Sequence, residues 1–194
     1  DAAAVVEDVV RFYGEEIAGY KLRQAERTVL APFGINMQEF LDRQKDWSPE
    51  FRDDITLRIR SVKAGVATII TGVDRFGPHI YIVDGFGNVV CNDAVGFAAI
   101  GDGKWHAESQ FMFARYVPRM PIHEALLLTY SAKKRAEVAP GVGKDTDVFI
   151  VLENGNFIRL SETLEAGVDA IYESRQVEYK QADEKALAEM SHRV

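Results

Sequence analysis

The residues whose types and spacing most clearly suggest catalysis or ligand binding fall into two short segments, and neither segment completes a known motif. Residues 141–146 read Gly-Val-Gly-Lys-Asp-Thr, which is similar to part of a phosphate-binding loop. Such a loop needs a glycine five positions before its Gly-Lys pair and Ser or Thr directly after it, but Val138 and Asp145 stand there. Residues 106–108 read His-Ala-Glu, half of a zinc deaminase motif whose other half needs two cysteines, and the chain has one. We therefore interpret 141–146 as a turn that follows a helix, and we predict no cofactor and no metal.

The remaining candidate nucleophiles and metal ligands are scattered along the chain. The four histidines are far apart and lack the spacing of metal ligands: His79, His106, His123 and His192. Cys91 lies in a predicted strand without an evident partner, which favours a packing role over nucleophilic catalysis. A triad of Ser109 or Ser131 with one of the histidines stays open, although neither serine lies in a Gly-x-Ser-x-Gly elbow.

Hydrophobic periodicity divides the chain into alternating groups of helices and strands. Apolar residues at three- and four-residue steps predict helices over 1–30, 36–41, 49–59, 104–116, 122–138 and, with interruptions, 161–194. Short β-branched runs predict strands at 66–71, 79–84, 88–100, 146–152 and 157–160, the first three as an antiparallel meander. Because groups of strands alternate with groups of helices, we predict an α+β fold rather than a parallel βαβ sheet.

Local signals predict how the first helices begin and which way they face. Three residues are predicted N-caps: Asp1, Asn36 and Ser48, the last followed by a first-turn proline. Four residues of the third helix are expected to face the interior in part: Phe51, Ile55, Leu57 and Ile59. The mixed charges of residues 42–61 are interpreted as a solvated face rather than a binding site.

Composition restricts the class of protein. The chain has 194 residues, of which 23 are Lys or Arg and 30 are Asp or Glu, so its net charge is −7. This negative charge argues against a protein that binds mainly to nucleic-acid phosphates. A single cysteine fits a reducing compartment, and no apolar run approaches the roughly 20 residues that span a bilayer. We expect a cytoplasmic protein with no membrane partner, folded as one domain because no Gly-, Ser- or Pro-rich linker divides it.

A central block of the sequence carries closely spaced glycines and aspartates around a tyrosine. Residues 71–74 read Thr-Gly-Val-Asp and residues 77–85 read Gly-Pro-His-Ile-Tyr-Ile-Val-Asp-Gly. This block resembles proteasome β-type subunits, in which Gly-x-Asp is followed by Gly-Pro-x-(Ile/Leu)-Tyr-x-(Val/Ile)-Asp. Ala-Ile-Gly-Asp-Gly at 99–103, Met-Pro-Ile-His-Glu-Ala-Leu at 120–126 and the glycine-rich stretch at 141–150 are similar to later family elements, in the same order. The opening Asp-Ala-Ala-Ala resembles the start of the family's first long helix. The resemblance covers about residues 1–30 and 66–160.

This resemblance implies a fold and an activity. The fold is a four-layer αββα N-terminal-nucleophile (Ntn) hydrolase sandwich over residues 1–194, with an insertion at 42–61 and a C-terminal tail at 177–194. The activity is that of a threonine-type endopeptidase, acting on peptide or protein substrates inside a ring or spiral of like subunits. By analogy alone, it also implies an ATP-dependent unfolding partner.

The resemblance also implies a site at the turn formed by Gly101, Asp102 and Gly103, where the family has Gly-Ser-Gly. Asp102 would lie beside the catalytic centre and accept a hydrogen bond from the nucleophile's amino group, and the two glycines would line the substrate. An equally open interpretation is that Asp102 only stabilises a tight turn.

Some positions depart from the family pattern. The family's nucleophile is the first residue of the mature chain, usually Thr, and the carboxylate of Asp1 cannot act in its place. The family's later helper Asp and Ser fall near Ala139 and Val142. Either an N-terminal segment outside these residues carries the nucleophile, or the chain is a non-catalytic scaffold subunit; a third alternative is an unrelated α+β binding module. The first is favoured because the strands would otherwise have long unpaired edges.

Overall fold

A computed structural model describes residues 5–193, so the predicted N-cap Asp1 lies outside the described residues. The described chain divides into two compact units on either side of the Ala94–Val95 bond. Each unit combines helices with one small antiparallel sheet, which confirms the α+β prediction. No helix of residues 5–193 combines the length and the apolar character that crossing a membrane requires.

The N-terminal unit consists of three helices followed by a three-stranded sheet. Its elements are α1 (Val6–Ala25), α2 (Met37–Asp42), α3 (Pro49–Ser61), β1 (Thr68–Asp74), β2 (Gly77–Val83) and β3 (Val89–Cys91). α1 is shorter than predicted, because it gives way to a π-helical turn at Glu26–Leu30 and a 3₁₀ turn at Ala31–Phe33.

Two of the predicted helix caps are confirmed. The Asn36 side chain accepts a hydrogen bond from the Glu39 N–H (2.8 Å), and the Glu39 carboxylate accepts one from the Asn36 N–H (3.0 Å). This reciprocal capping box satisfies donors that the start of α2 leaves free. Ser48 Oγ accepts from the Phe51 N–H (3.3 Å) at the start of α3, where Pro49 occupies the first turn.

The sheet of the N-terminal unit is the predicted meander, with strand order β1-β2-β3 and antiparallel pairing throughout. β3 has three residues, whereas the sequence predicted a strand over 88–100. The pairing stops because the carboxylate of Asp93 accepts the Ile80 N–H (2.7 Å), which takes the role that a backbone carbonyl of a longer strand would have.

Two apolar clusters hold the N-terminal unit together. Val10 of α1 packs on Tyr81 and Val83 of β2, all three of them buried. A second cluster is formed by Val29, Leu30, Phe40 and Ile55. The prediction that Leu57 faces the interior in part is wrong, since its side chain is 69% exposed. It lies two residues from the fully buried Ile55, about 200° around the helix, on the opposite face.

The charged segment at 42–61 is a solvated face, as predicted. Most of its charged side chains are exposed, and its ion pairs, such as Arg58 with Asp54 (2.9 Å), lie at the surface. Pairs of this kind contribute little to stability, so the segment is held by the apolar side of α3.

The C-terminal unit contains α4 (Lys104–Phe113), α5 (Ile122–Ala136), a hairpin of β4 (Phe149–Val151) and β5 (Phe157–Arg159), and α6 (Glu162–Ser191). α4 and α5 enclose the core cluster of Ala107, Phe111, Leu128, Ala132 and Ala136, and Phe97 stacks on Phe111 at 4.7 Å between ring centres.

α6 is one uninterrupted helix of 30 residues, whereas the sequence predicted interruptions. Its surface is rich in Ala, Glu, Lys and Gln, which are strong helix formers and carry the helix past Gly167. None of its residues is fully buried, and the predicted tail at 177–194 forms its second half as far as Ser191.

Candidate functional site

The candidate site is the glycine turn (residues 101–103) at the start of α4. Gly101 has a φ of +85°, a backbone conformation that favours glycine, and its carbonyl accepts the Lys104 N–H (3.2 Å). Gly103 is the N-cap of α4, and its carbonyl accepts the N–H groups of His106 and Ala107 (both 3.1 Å). The turn is therefore fixed by the first turn of the helix that follows it.

Gly103 is required for close packing rather than for its φ. Its φ of −85° is ordinary, but a Cβ at this position would lie 2.7 Å from the Ala136 Cβ and 2.9 Å from the Ala136 carbonyl oxygen. The start of α4 thus touches the backbone at the end of α5. Any side chain at residue 103 would push these two helices apart.

The glycine turn also meets the loop that follows α5, which we call the post-α5 loop (residues 139–143). A Cβ built on Gly141 would lie 3.1 Å from Asp102 Oδ2, so the Asp102 carboxylate reaches over this loop. Ala139 is buried, and Val142 packs against the α4–α5 core. The turn and the loop, about 40 residues apart in sequence, therefore form one surface feature.

Lys133 fixes the shape of the post-α5 loop. Its ammonium group pairs with Glu137 and donates hydrogen bonds to the carbonyls of Gly143 (3.1 Å) and Lys144 (2.7 Å). A lysine near a helix C-terminus also satisfies the partial negative charge there. The glycine-rich stretch at 141–146 follows the end of a helix, as predicted, and two of its carbonyls accept hydrogen bonds from Lys133.

Asp102 is the one side chain of the glycine turn that can take part in chemistry. It is exposed, and within residues 5–193 its carboxylate has no hydrogen-bond or ion-pair partner. A carboxylate held on a rigid turn can accept a hydrogen bond from an ammonium or hydroxyl group. Gly101 and Gly103 could contact a ligand only through backbone atoms, and Gly103 is buried.

A second cluster, in the N-terminal unit, escaped sequence reasoning. His79 Nδ1 lies 2.7 Å from Asp93 Oδ2, and His79 Nε2 lies 3.1 Å from Asp74 Oδ1. Asp74 also accepts the N–H groups of Val6 (2.9 Å) and Phe76 (2.8 Å). The imidazole is thus held between two carboxylates and is 16% exposed.

Hydrogen bonds and charge shift the pKa of each member of this cluster toward the ionised form. The hydrogen bond to Asp93, joined by the one to Asp74, raises the pKa of His79 above its usual value, although burial opposes the shift. Hydrogen bonds from the Val6 and Phe76 N–H groups lower the pKa of Asp74. Burial opposes ionisation of Asp93, but the Ile80 N–H and His79 outweigh it and lower its pKa. Both ring nitrogens are occupied, so His79 joins the start of α1 to the sheet rather than offering a free base.

The other candidates are not brought together. Ser109 Oγ donates to the His106 carbonyl (2.8 Å) and Ser131 Oγ to the Leu127 carbonyl (2.7 Å), so neither serine pairs with a histidine side chain. The packing role predicted for Cys91 is wrong, because its thiol is exposed. In the described part of the chain, no group of three or more His, Cys, Asp or Glu side chains could hold a metal ion.

Comparison with known proteins adds no family: no protein-family model matches the chain, and neither does any curated protein.

Proposed function

We propose that this chain is a subunit of a proteasome-like peptidase assembly with the four-layer Ntn-hydrolase fold. The observation that carries the proposal is the meeting of the glycine turn with the post-α5 loop, through Asp102 and Gly141. In the family that the sequence resembles, both segments adjoin the catalytic centre. The order of elements from α1 through the meander, the α4–α5 pair and the hairpin is also the family's order.

Exposed apolar strand surfaces support the assembly part of the proposal. The β4–β5 hairpin exposes Phe149, Val151, Phe157 and Ile158, and β3 exposes Val89 and Val90. An isolated two-stranded hairpin is marginally stable in water, and open apolar edges attract further strands. In a four-layer sandwich within a ring of subunits, further strands and neighbouring subunits would cover these surfaces.

Asp102 would act as a positioning residue in such a peptidase. The hydroxyl of the N-terminal nucleophile attacks the peptide carbonyl, and the nucleophile's own amino group takes the hydroxyl proton. The resulting ammonium would donate a hydrogen bond to the Asp102 carboxylate, which has no partner within residues 5–193. The nucleophile itself has no counterpart in the sequence at the position where the family carries it.

A catalytically inactive scaffold subunit is the second candidate, and a specific observation favours it. The family's helper Asp and Ser fall near Ala139 and Val142, and neither of these side chains can move a proton. Ala139 is also buried, so the post-α5 loop contributes packing and backbone there.

The two candidates are separated by measuring assembly and hydrolysis on the same purified protein. Native mass spectrometry and negative-stain microscopy test for a ring or spiral, and fluorogenic peptides with an epoxyketone inhibitor test for an N-terminal nucleophile. A peptidase subunit gives particles with inhibitor-sensitive hydrolysis, and a scaffold subunit gives particles without it. A protein that stays monomeric at all concentrations contradicts both.

Asp102→Asn tests the site within an active assembly. Losing one charge-assisted hydrogen bond of about 1.5–3 kcal/mol corresponds to a kcat lower by about 10- to 150-fold. Asp145→Asn is the matched control, because Asp145 is an exposed carboxylate four residues beyond Gly141, which Asp102 contacts. If the two variants are equally active, Asp102 only stabilises the glycine turn and does not position the nucleophile.

A further inference from the structure

We propose that a groove in the C-terminal unit binds a small molecule with a phosphate at one end and an amino-bearing aromatic ring at the other, the chemistry of a nucleoside monophosphate. The groove lies between α4, α5 and α6 and has a volume of about 510 Å³. Small-molecule sites typically measure about 300–1,000 Å³. It is separate from the glycine turn and does not rest on the function proposed above.

Two arginines give the groove its anion-binding character. Arg135 of α5 and Arg175 of α6 line it, and neither forms an ion pair with a carboxylate of residues 5–193. The two residues before Arg135 differ in this respect, since Lys133 pairs with Glu137 and Lys134 with Asp169. In a chain of net charge −7, two guanidinium groups on one groove without a carboxylate partner are available for a ligand.

Arg175 is held in a defined orientation. Its guanidinium lies 5.6 Å from the centre of the Tyr179 ring, and its Nη2 donates to the Tyr179 hydroxyl (2.8 Å). This contact uses one arm of the guanidinium and leaves other N–H groups free. A planar, oriented guanidinium is suited to bidentate recognition of phosphate or carboxylate oxygens.

An acceptor without a partner indicates what the other end of the ligand must supply. Gln110 lines the groove, and its Oε1 atom is buried and accepts no hydrogen bond from residues 5–193. A buried acceptor is costly unless a donor reaches it, so a ligand N–H that meets the Gln110 amide would relieve the cost. Among the described residues that line the groove, Asp183 is the one carboxylate. It is a further acceptor for an amino group and would repel a ligand that was anionic throughout.

Aromatic side chains supply the surface for a ring. Phe113, Tyr172 and Tyr179 line the groove, and the last two lie seven residues apart on the same face of α6. Stacking on aromatic side chains contributes about 1–3 kcal/mol per nucleic-acid base in other proteins. The arginines thus match a phosphate, the aromatic side chains match a planar ring, and the acceptors Gln110 and Asp183 match an amino group on that ring.

Isothermal titration calorimetry with AMP tests the assignment, with adenosine and inorganic phosphate as separate probes. We expect AMP to bind at concentrations of about 1 mM or below, and each of the two partial probes to bind about tenfold more weakly or worse. If adenosine binds as tightly as AMP, the arginines do not contribute to binding. If inorganic phosphate binds as tightly as AMP, the aromatic side chains do not contribute. Either result would contradict the assignment. Absence of AMP binding at about 1 mM would overturn the assignment.

Matched variants locate the site. Arg135→Gln and Arg175→Gln should each weaken AMP binding by about tenfold or more. Arg159→Gln is the control, because Arg159 lies in the same unit, pairs with Asp147 at the surface and does not line the groove. Circular dichroism checks that each variant folds. If Arg135→Gln does not fold, Arg135→Lys replaces it, because lysine keeps the positive charge but lacks the planar guanidinium. AMP affinity unchanged in both groove variants would refute the site.

Discussion

Replacing Gly103 with alanine tests the contact that joins α4 to α5 at the candidate site. The new Cβ would lie 2.7 Å from the Ala136 Cβ, whereas carbon atoms in contact are separated by about 3.5–4.0 Å. The start of α4 must therefore move by about 1 Å, and forced overpacking of this kind costs about 1–3 kcal/mol. The φ of −85° adds no strain for alanine, so most of the effect comes from the contact, and the preference of an N-cap for glycine over alanine adds a smaller amount.

Thermal unfolding followed by circular dichroism measures the effect. For a chain of this size, each kcal/mol lost lowers Tm by about 2–4 °C. Gly143→Ala is the control, because no atom of residues 5–193 outside Gly143 and its two chain neighbours lies within 4 Å of a Cβ there. We expect stability to be unchanged or to rise by up to about 1 kcal/mol.

A double-mutant cycle isolates the contact from general damage. Ala136→Gly alone costs about 1 kcal/mol of helix propensity. In the Gly103→Ala background it removes the 2.7 Å contact and leaves the 2.9 Å contact with the carbonyl oxygen, so it should restore part of the stability. A Gly103→Ala protein as stable as Gly143→Ala, or strictly additive effects in the cycle, would refute the reasoning.

Two further predictions concern the N-terminal unit. The raised pKa of His79 means that the folded state binds this proton more tightly than the unfolded state. Its contribution to stability is therefore complete below the unfolded pKa of about 6.5 and is lost as the pH rises through the folded pKa. Tm measured from about pH 6 to pH 9 should fall more for the wild type than for His79→Gln, and parallel curves would contradict the assignment. Ile55→Ala should lower the free energy of unfolding in urea by about 2–5 kcal/mol, because Ile55 is fully buried, whereas Leu57→Ala on the exposed face of α3 should change it by at most about 0.5 kcal/mol.

Features that depend on neighbours a few residues away were predictable from the sequence. The Asn36 and Ser48 caps form because each side chain reaches an N–H group three residues further along the chain. The meander follows from short β-branched runs separated by glycine turns. The turn after α5 was predicted for the same reason, since Pro140 and Gly141 end a helical pattern.

Features that depend on distant residues were missed or mispredicted. β3 ends early because the Asp93 side chain takes the Ile80 N–H, and a strand pattern carries no sign of that competition. Cys91 and Leu57 were assigned to the interior from the element that contains them, but their exposure depends on what packs against that element. The histidine cluster had a weak signal in advance, because His79 stands close to Asp74, but Asp93 joins only through strand pairing.

The candidate site shows the same division. From the sequence by itself, the resemblance predicted a turn at residues 101–103 and the helical pattern predicted the helix that follows; glycine tolerates the φ of +85° that Gly101 adopts. Only the tertiary structure decided that Asp102 meets Gly141, that Gly103 touches Ala136, and that Arg135 and Arg175 share a groove with Gln110. The physical reason is that backbone conformation and capping act over three or four residues. Which side chains share a surface is decided by how helices pack through their apolar faces, over separations of tens of residues.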